Sequence, residues 1–389
     1  MKWIRHILRS PIERGEKGLI LKNLLLKNYR NYEQIEISFE PGLNVFIGEN
    51  AQGKTNLLEA LHFCAALRSF RTRKDKELIK NNQDHAYIKL ETSNQDGEQK
   101  LELLLTEDQK KRVRKNGLSV TTISDVMGTV KAVLFSPEDL KVVKDGPQER
   151  RQFMDSEIIQ ISPRYYHSLK RYQKVIKQRN QLLKSPTITE EQLAIWDDQL
   201  SGHGATVIQL RHRFLQDLLA FANPIHTEIT DNKEKIKLDY KPGIALPKDW
   251  IKFDLGELQR HFINELKKSR KMDLYQKTTH QGPHRDDVHF SINEMDVRKY
   301  GSQGQKRTLV LSLKLAVLEW MKQESGEYPV LMMDDVTSEL DKRRQEYLFR
   351  YLKPIQTFVT TTHLEDPIKQ YACGSVFSIH DGKIEKKEG

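Results

Sequence analysis

Between residues 19 and 47 the apolar positions come in short runs bounded by turns: LILKNLLL, QIEISFE and LNVFI, with Pro41-Gly42 before the last. Runs of that length between turn residues predict three strands. Over residues 55–67 the period changes. Leu57, Leu58, Leu61 and Ala65 recur at helical spacing, so a helix is predicted directly behind the third strand. Alternation returns at 87–93, 99–106 and 111–115, joined through Asp96-Gly97 and Asn116-Gly117, and predicts strands in hairpins. Residues 130–135 predict one more strand.

After Pro137 the pattern is helical. Residues 148–184 place Leu169, Tyr172, Ile176 and Leu183 on one face and Lys170, Lys174, Lys177 and Lys184 on another. Further helical stretches cover 190–223 and 254–272. Pro163, Pro186, Pro224, Pro242 and Pro247 predict that these helices stay short. No heptad pattern persists, so a long coiled coil is not expected. Strand character resumes at 288–292. YPVLMMDD then predicts a buried strand ending in two carboxylates, and IQTFVTTTH repeats that design with a terminal histidine. VFSIHDGKIEK predicts a hairpin turning at Asp381-Gly382. The fold class is α/β, with two α/β parts, 19–135 and 296–389, split by a mostly helical insert at 136–295.

Residues 1–18, MKWIRHILRSPIERGEKG, stand outside this pattern. They lack the apolar core of a signal peptide, and Pro11 and Gly15 interrupt any helix. ERGEKG also fits a purine-rich ribosome-binding site read as protein. Two readings stand: a non-native leader with the true start near Leu19 or Leu21, or a short disordered arm.

Composition adds a partner class. Sixty-four basic against 54 acidic residues give a formal charge of +10 and a pI near 9.2, which favours a polyanion such as nucleic acid. Cys64 and Cys373 lack metal-ligand spacing and predict reduced thiols, hence a cytoplasmic location. No apolar run reaches the roughly 18 residues of a membrane span.

GENAQGKT at 48–55 satisfies G-x-x-x-x-G-K-[ST] between a predicted strand and a predicted helix. Its backbone N–H groups, contributed by Gly48, Glu49, Asn50, Ala51, Gln52 and Gly53, would wrap the phosphates of a nucleotide, ATP, at a helix N-terminus. Lys54 would reach the β- and γ-oxygens, and Thr55 would ligate Mg²⁺ through its hydroxyl. In VLMMDD, Asp334 would complete the Mg²⁺ shell and Asp335 would polarise the attacking water. TTTH places His363 on the same predicted sheet edge as a sensor of the γ-phosphate.

YGSQGQKRT is a second glycine-rich helix start. Ser302, Gln303, Gly304 and Gln305 match S-x-G-Q, the signature of ABC-type ATPases. One subunit cannot easily fold both elements onto one nucleotide, whereas two subunits placed head to tail can. An ATP-dependent homodimer follows, with the signature acting in trans.

The order GENAQGKT, GPHRDD, GSQGQKRT, MMDDVTSELD, TTTH, with KNYRNY near the start, resembles the RecF family of bacterial recombination-mediator ATPases over nearly the whole chain from about Leu19. The resemblance implies an SMC-like, ABC-type ATPase head, with a phosphate-loop sheet, flanking helices and an antiparallel β subdomain. It also implies a helical second lobe with a short arm. It implies an ATP-dependent dimer that binds DNA at gaps and works with RecR and RecO to load RecA onto strands coated with single-strand-binding protein, in recombinational repair and SOS induction. It places Arg30 and Asn31 of KNYRNY near the nucleotide and Ser338 and Asp341 in the D-loop. Asp335 stands where many ABC ATPases carry glutamate; one methylene shorter, it implies slow hydrolysis, and the resemblance implies a weak, DNA-dependent ATPase. A glutamine between lobes is not evident, and Glu138 of LFSPEDL is the substitute candidate.

Charge alone selects the DNA candidates: Arg68, Arg71, Arg73 and Lys74; Lys110, Lys111 and Arg112; and Lys170, Lys174 and Lys177, followed by Lys184. In GPHRDD, Arg285 between acids is expected in a buried ion-pair knot rather than on DNA. Two other function classes compete: the ATPase subunit of a transporter, whose signature would read LSGGQ, and a DNA-bridging protein that binds ATP without turnover. An OLD-type nuclease is disfavoured, because no acidic triad follows His363.

Overall fold

The computed structural model describes residues 18–108, 111–335, 340–352, 355–363 and 374–387. They form two compact units. One holds the described residues up to Asp139, Thr227–Asp231 and those from Leu311 onward; the other holds Leu140–His226 and Asn232–Val310.

In the first unit the expected strands appear. A six-stranded antiparallel sheet is built from Ile20–Tyr29, Tyr32–Ser38, His85–Asn94, Gly97–Thr106, Lys111–Lys115 and Leu118–Val120. A second six-stranded sheet runs, in spatial order, Lys383–Lys387, Val376–His380, Leu43–Ile47, Thr357–Thr361, Val330–Asp334 and Ala132–Phe135. Its strands are parallel except for the Lys383–Lys387 edge, which pairs antiparallel at the predicted Asp381-Gly382 turn. The helix Lys54–Ala66 is buried around most of its circumference because it shares one core with both sheets: Leu57, Leu61 and Phe63 pack with Leu26 and Ile88 of one and Phe46, Met332 and Phe358 of the other.

The second unit is mostly helical, as expected, with helices Pro147–Ile161, Pro163–Leu182, Glu190–Ile229 and Leu255–Gln276. Pro147 and Pro163 stand at helix starts, where no backbone donor is needed. Pro224 does not shorten its helix: Glu190–Ile229 runs 40 residues straight through it. Phe221, Ala222, Ile225 and His226 around it are buried, so packing outweighs the ~3 kcal/mol that an interior proline costs. The strand Ile236–Lys241, which sequence patterning missed among loops, forms a small sheet with Asp287–Ile292 and Met295–Asp296. Val297–Val310, expected in the C-terminal α/β part, groups with this helical unit.

GPHRDD makes the expected buried knot, but not with Arg285, which is exposed. Asp286 is fully buried and accepts from Arg211 at 2.7 Å, the N–H of Gly243 at 2.7 Å and the hydroxyl of Tyr240. Arg211, itself buried, also donates to Asp155, the carbonyl of Pro283 and the Tyr165 hydroxyl. Asp287 pairs with Arg150 through both oxygens, at 2.6 and 3.1 Å. Sequence proximity pointed to Arg285, whereas two arginines more than 70 residues upstream close the knot. Gly282 is required beside it: its φ is 133°, and a Cβ there would collide with the Tyr172 hydroxyl and Phe262.

Arg211→Ala should leave the buried Asp286 and the half-buried Asp155 without their cation and lower unfolding free energy by about 3–5 kcal/mol. Arg285→Ala should change it by less than about 0.5 kcal/mol. Urea denaturation of both variants checks the assignment; equal losses would put Arg285 back in the knot.

Candidate functional site

Four parallel strands of the core sheet end at one edge, where open α/β sheets place ligands. Leu43–Ile47 runs into the 48–55 loop, Val330–Asp334 ends in the acid, Thr357–Thr361 leads to His363, and Ala132–Phe135 leads to Glu138.

The loop turns tightly. Gly53 has φ 117°, and a Cβ on it would lie 2.7 Å from the Asn31 amide nitrogen and 2.9 Å from the Tyr32 hydroxyl. Both residues of KNYRNY clamp the loop: Tyr32 donates to the carbonyl of Gly53 at 2.9 Å, and Asn31 to that of Gln52 at 3.0 Å. On the other side the Gln52 side chain accepts from the N–H of Asp381 at 2.6 Å, tying the loop to the C-terminal hairpin. Lys54 folds back along the loop and donates to the carbonyls of Gly48 and Glu49. Burial lowers its pKa, and the negative charges of Asp335 and Asp334 pull it back up.

The Thr55 hydroxyl donates to Asp334 Oδ1 at 2.9 Å across 279 residues of sequence. Thr360, in the TTTH stretch, donates to the same oxygen at 2.8 Å and accepts from the N–H of Asp335 at 3.0 Å. Burial pushes the Asp334 pKa up; hydrogen bonds from Thr360 and Thr55 oppose this, Asp335 reinforces it, and the charge of Arg71 opposes it. Asp335 sits at φ 52°, an uncommon conformation for a non-glycine residue. His363 is exposed and its N–H donates to the Thr361 hydroxyl at 3.3 Å. A hydroxyl and a carboxylate 2.9 Å apart at a helix start form a hard oxygen donor pair of the kind Mg²⁺ takes.

Arg30 and Arg71 meet on a residue that the sequence reading passed over. Glu59, fully buried in the Lys54–Ala66 helix, takes Arg30 through both oxygens at 2.7 and 2.8 Å, Ser69 at 2.5 Å and Arg71 at 3.4 Å. Arg71 also donates to Asn56, which in turn donates to Asn31. The one carboxylate in the helix, set amid its buried apolar positions, was the available signal. Arg71, selected for DNA by charge, is thus anchored beside the loop. Beyond Ala132–Phe135, Glu138 is exposed, and its neighbour Asp139 pairs with the buried Lys314 at 3.0 Å.

Ser302 and Gln305 cap their own helix reciprocally. The Ser302 hydroxyl accepts from the N–H of Gln305 at 3.1 Å, and the Gln305 side chain accepts from that of Ser302 at 2.9 Å. Gln305 also donates to Glu234 at 2.9 Å, while Ser302 and Gln303 remain exposed and Gly304 is half-buried. Asp341 accepts from the N–H of Arg344 at the start of the helix Lys342–Leu352. Ser338, Lys110 and residues 1–17 lie outside the described residues.

Among the remaining DNA candidates, Arg68, Arg73, Lys74, Arg112, Lys170, Lys174, Lys177 and Lys184 are exposed. Lys111 is half-buried, paired with Asp75 at 2.9 Å and seated over the Phe63 ring. No described helix is long and apolar enough to cross a membrane, and the described residues hold no metal-ligating cluster of three or more His, Cys, Asp or Glu.

The family model described as RecF/RecN/SMC N terminal domain matches residues 20–384. The DNA replication and repair protein RecF of Alkaliphilus oremlandii is 45% identical over 347 residues, covering 89% of this chain and 94% of that protein. RecF of Clostridium perfringens strain SM101 is 42% identical over 368 residues, covering 94% and 100%. A solved structure of the recombination mediator RecF with ATP, described as part of the RecFOR pathway, superposes with a TM-score of 0.89 at 35% identity, covering 96% and 99%. An Smc head domain of Pyrococcus furiosus, at 16% identity, TM-score 0.55 and coverage of 95% and 96%, shares the fold.

A carboxyl whose folded pKa lies above its unfolded one binds its proton more tightly in the folded state. Its contribution therefore falls as pH rises from the unfolded value of about 4 through the folded one. At neutral pH the buried Asp334 charge lowers stability. Asp334→Asn keeps the acceptor oxygen for Thr55 and Thr360 and removes that charge. Without nucleotide it should melt above the wild type at pH 7, with the difference closing toward pH 4. Calorimetry across that range is the measurement, and a variant that melts lower at pH 7 refutes the account.

Proposed function

The chain belongs to the RecF family, and from that membership we propose that it is an ATP-gated DNA-binding repair protein whose hydrolytic centre is completed by a second copy. The observation that carries the reading is the Thr55–Asp334 contact, which joins the phosphate loop to the acidic strand end. The backbone N–H groups of residues 48–55 bind the phosphates at the helix start. Lys54 exchanges the carbonyls of Gly48 and Glu49 for the β- and γ-oxygens. Thr55 and Asp334 are the residues that would hold Mg²⁺, which when bound neutralises charge on those oxygens. Asp335 orients and polarises the attacking water, and His363 reads the γ-phosphate. Arg30, fixed by Glu59, and Asn31, fixed on Gln52, set the loop's outer wall.

The second copy supplies Ser302, Gln303, Gly304 and Gln305, and family membership assigns Ser338 and Asp341 to the D-loop. Each ATP is then shared between two chains, so closure depends on the γ-phosphate. The aspartate at 335 makes turnover slow, suited to a timer, and DNA stimulates it. Exposed basic residues, Arg73, Lys74 and Lys170 among them, neutralise DNA phosphates without reading sequence. In this role the protein acts in the cytoplasm with RecR and RecO at single-stranded gaps, where RecA replaces single-strand-binding protein, and so contributes to SOS induction. Identity of 45% across 94% of a repair protein favours this reading over a transporter subunit.

Sizing the protein with and without ATP tests the shared centre. Wild type should dimerise only with ATP. Ser302→Arg should still bind ATP yet stay monomeric, with turnover reduced by at least about tenfold. A monomeric Ser302→Arg variant that hydrolyses ATP at the wild-type rate overturns the proposal.

A further inference from the structure

Three helices of the second unit converge at one end on a buried arginine. Arg179 of Pro163–Leu182 is fully buried and donates to Asp197 at 2.8 Å, Asp273 at 2.8 Å and the Thr279 hydroxyl at 2.8 Å. Asn180 accepts from the N–H of Thr279 at 2.8 Å. These contacts bring the last turns of Pro163–Leu182 and Leu255–Gln276 together over a cross-linked base.

The face of Leu255–Gln276 opposite the buried Asp273 is unusual. Tyr275 is 83% exposed and Met272 51% exposed. Their spacing of three residues puts them on one helix face, together with Lys271 and Lys268 one and two turns earlier. Lys277 follows immediately, exposed. On the adjoining helix end, Lys177, Asn180, Gln181 and Lys184 line an open cavity of about 460 Å³ with Ile176. Lys268 is paired with Glu265 at 2.6 Å, but acids do not balance the other lysines. No acid occurs from Ile158 to Thr189, and the one acid between Leu266 and Arg285 is Asp273, buried in the knot. An exposed aromatic ring and thioether amid uncompensated lysines fit a polyanion that also offers flat apolar faces.

We propose that this end of the helical unit is a platform for single-stranded nucleic acid. A base stacks on Tyr275 against Met272, and Lys271 and Lys277 take the flanking phosphates. A duplex keeps its bases stacked internally and gains only the phosphate contacts, so the platform prefers the unpaired strand. The proposal rests on the DNA-binding reading above and adds the strand form and the place. An acidic polypeptide would use the lysines but gain little from the ring.

The test is fluorescence anisotropy with a labelled 15-nucleotide oligo(dT), a duplex of equal length and poly-glutamate, on the full chain. Tyr275→Ala should weaken oligo(dT) binding about tenfold, the loss of one base stack, with little change for the duplex. Tyr275→Phe, which keeps the ring, should bind as wild type. Lys271→Gln with Lys277→Gln should flatten the salt dependence for oligo(dT) by about 1.4, two phosphates at 0.7 each. Equal oligo(dT) binding by wild type and Tyr275→Ala overturns the platform. So does poly-glutamate binding as tight as oligo(dT), with the same loss in Tyr275→Ala, which would assign the surface to an acidic protein. A wild type that binds duplex but not oligo(dT) overturns the platform and leaves the proposed function standing. One that binds neither removes both.

Discussion

One buried carboxylate organises the sheet edge that carries the 48–55 loop. Asp334 ends a strand whose other residues are wholly apolar, and it would be an uncompensated polar group there without the hydroxyls of Thr55 and Thr360. Those two bonds join three elements that need one another: the helix behind the phosphate loop, the acidic strand and the histidine strand. Burial nevertheless leaves the carboxyl with its pKa raised. A group held against its own desolvation is poised to gain from a cation, and the neighbouring lysine, lowered by burial too, is poised to gain from an anion. The site is thus arranged around two charges whose stabilisation a phosphate–metal ligand would complete.

The same physics recurs away from that edge with another outcome. Glu59 in the first unit, and Asp286 and Asp273 in the second, are buried acids each closed by arginine. Breaking such knots costs far more than forming them contributes, because the partner left behind stays buried and charged. They act as rigid joints. Glu59 holds Arg30 and Arg71 beside the loop. Asp286 and Arg211 join the GPHRDD turn to the long helix and to the small sheet. Arg179 fixes the ends of three helices, one of which carries Tyr275.

Ion pairing then separates cations that the sequence leaves equivalent. Arg71 and Lys111 are anchored by Glu59 and Asp75, whereas Arg73, Lys74 and the stripe from Lys170 to Lys177 face solvent. The basic excess of the chain is divided between structural joints and a surface open to polyanions. Charge along the chain cannot make that division, because it depends on which acid each cation meets after folding.

By itself the sequence determined the elements and the chemistry carried on short spans. Period-two and period-3.6 patterns set out both sheets of the first unit and the main helices. The loop at 48–55, the capped Ser302–Gln305 turn and the acid at the end of VLMMD are local motifs whose backbone needs are written in consecutive residues. Tertiary structure alone decided what depends on distant partners. It decided that Pro224 sits inside a helix, because burial around it outweighs its local cost. It made Arg211 and Arg150, not Arg285, close the GPHRDD knot, and it brought Thr360 to share Asp334 with Thr55. Hydrogen bonds between residues hundreds of positions apart leave no periodicity in a sequence, so only the folded chain reveals them.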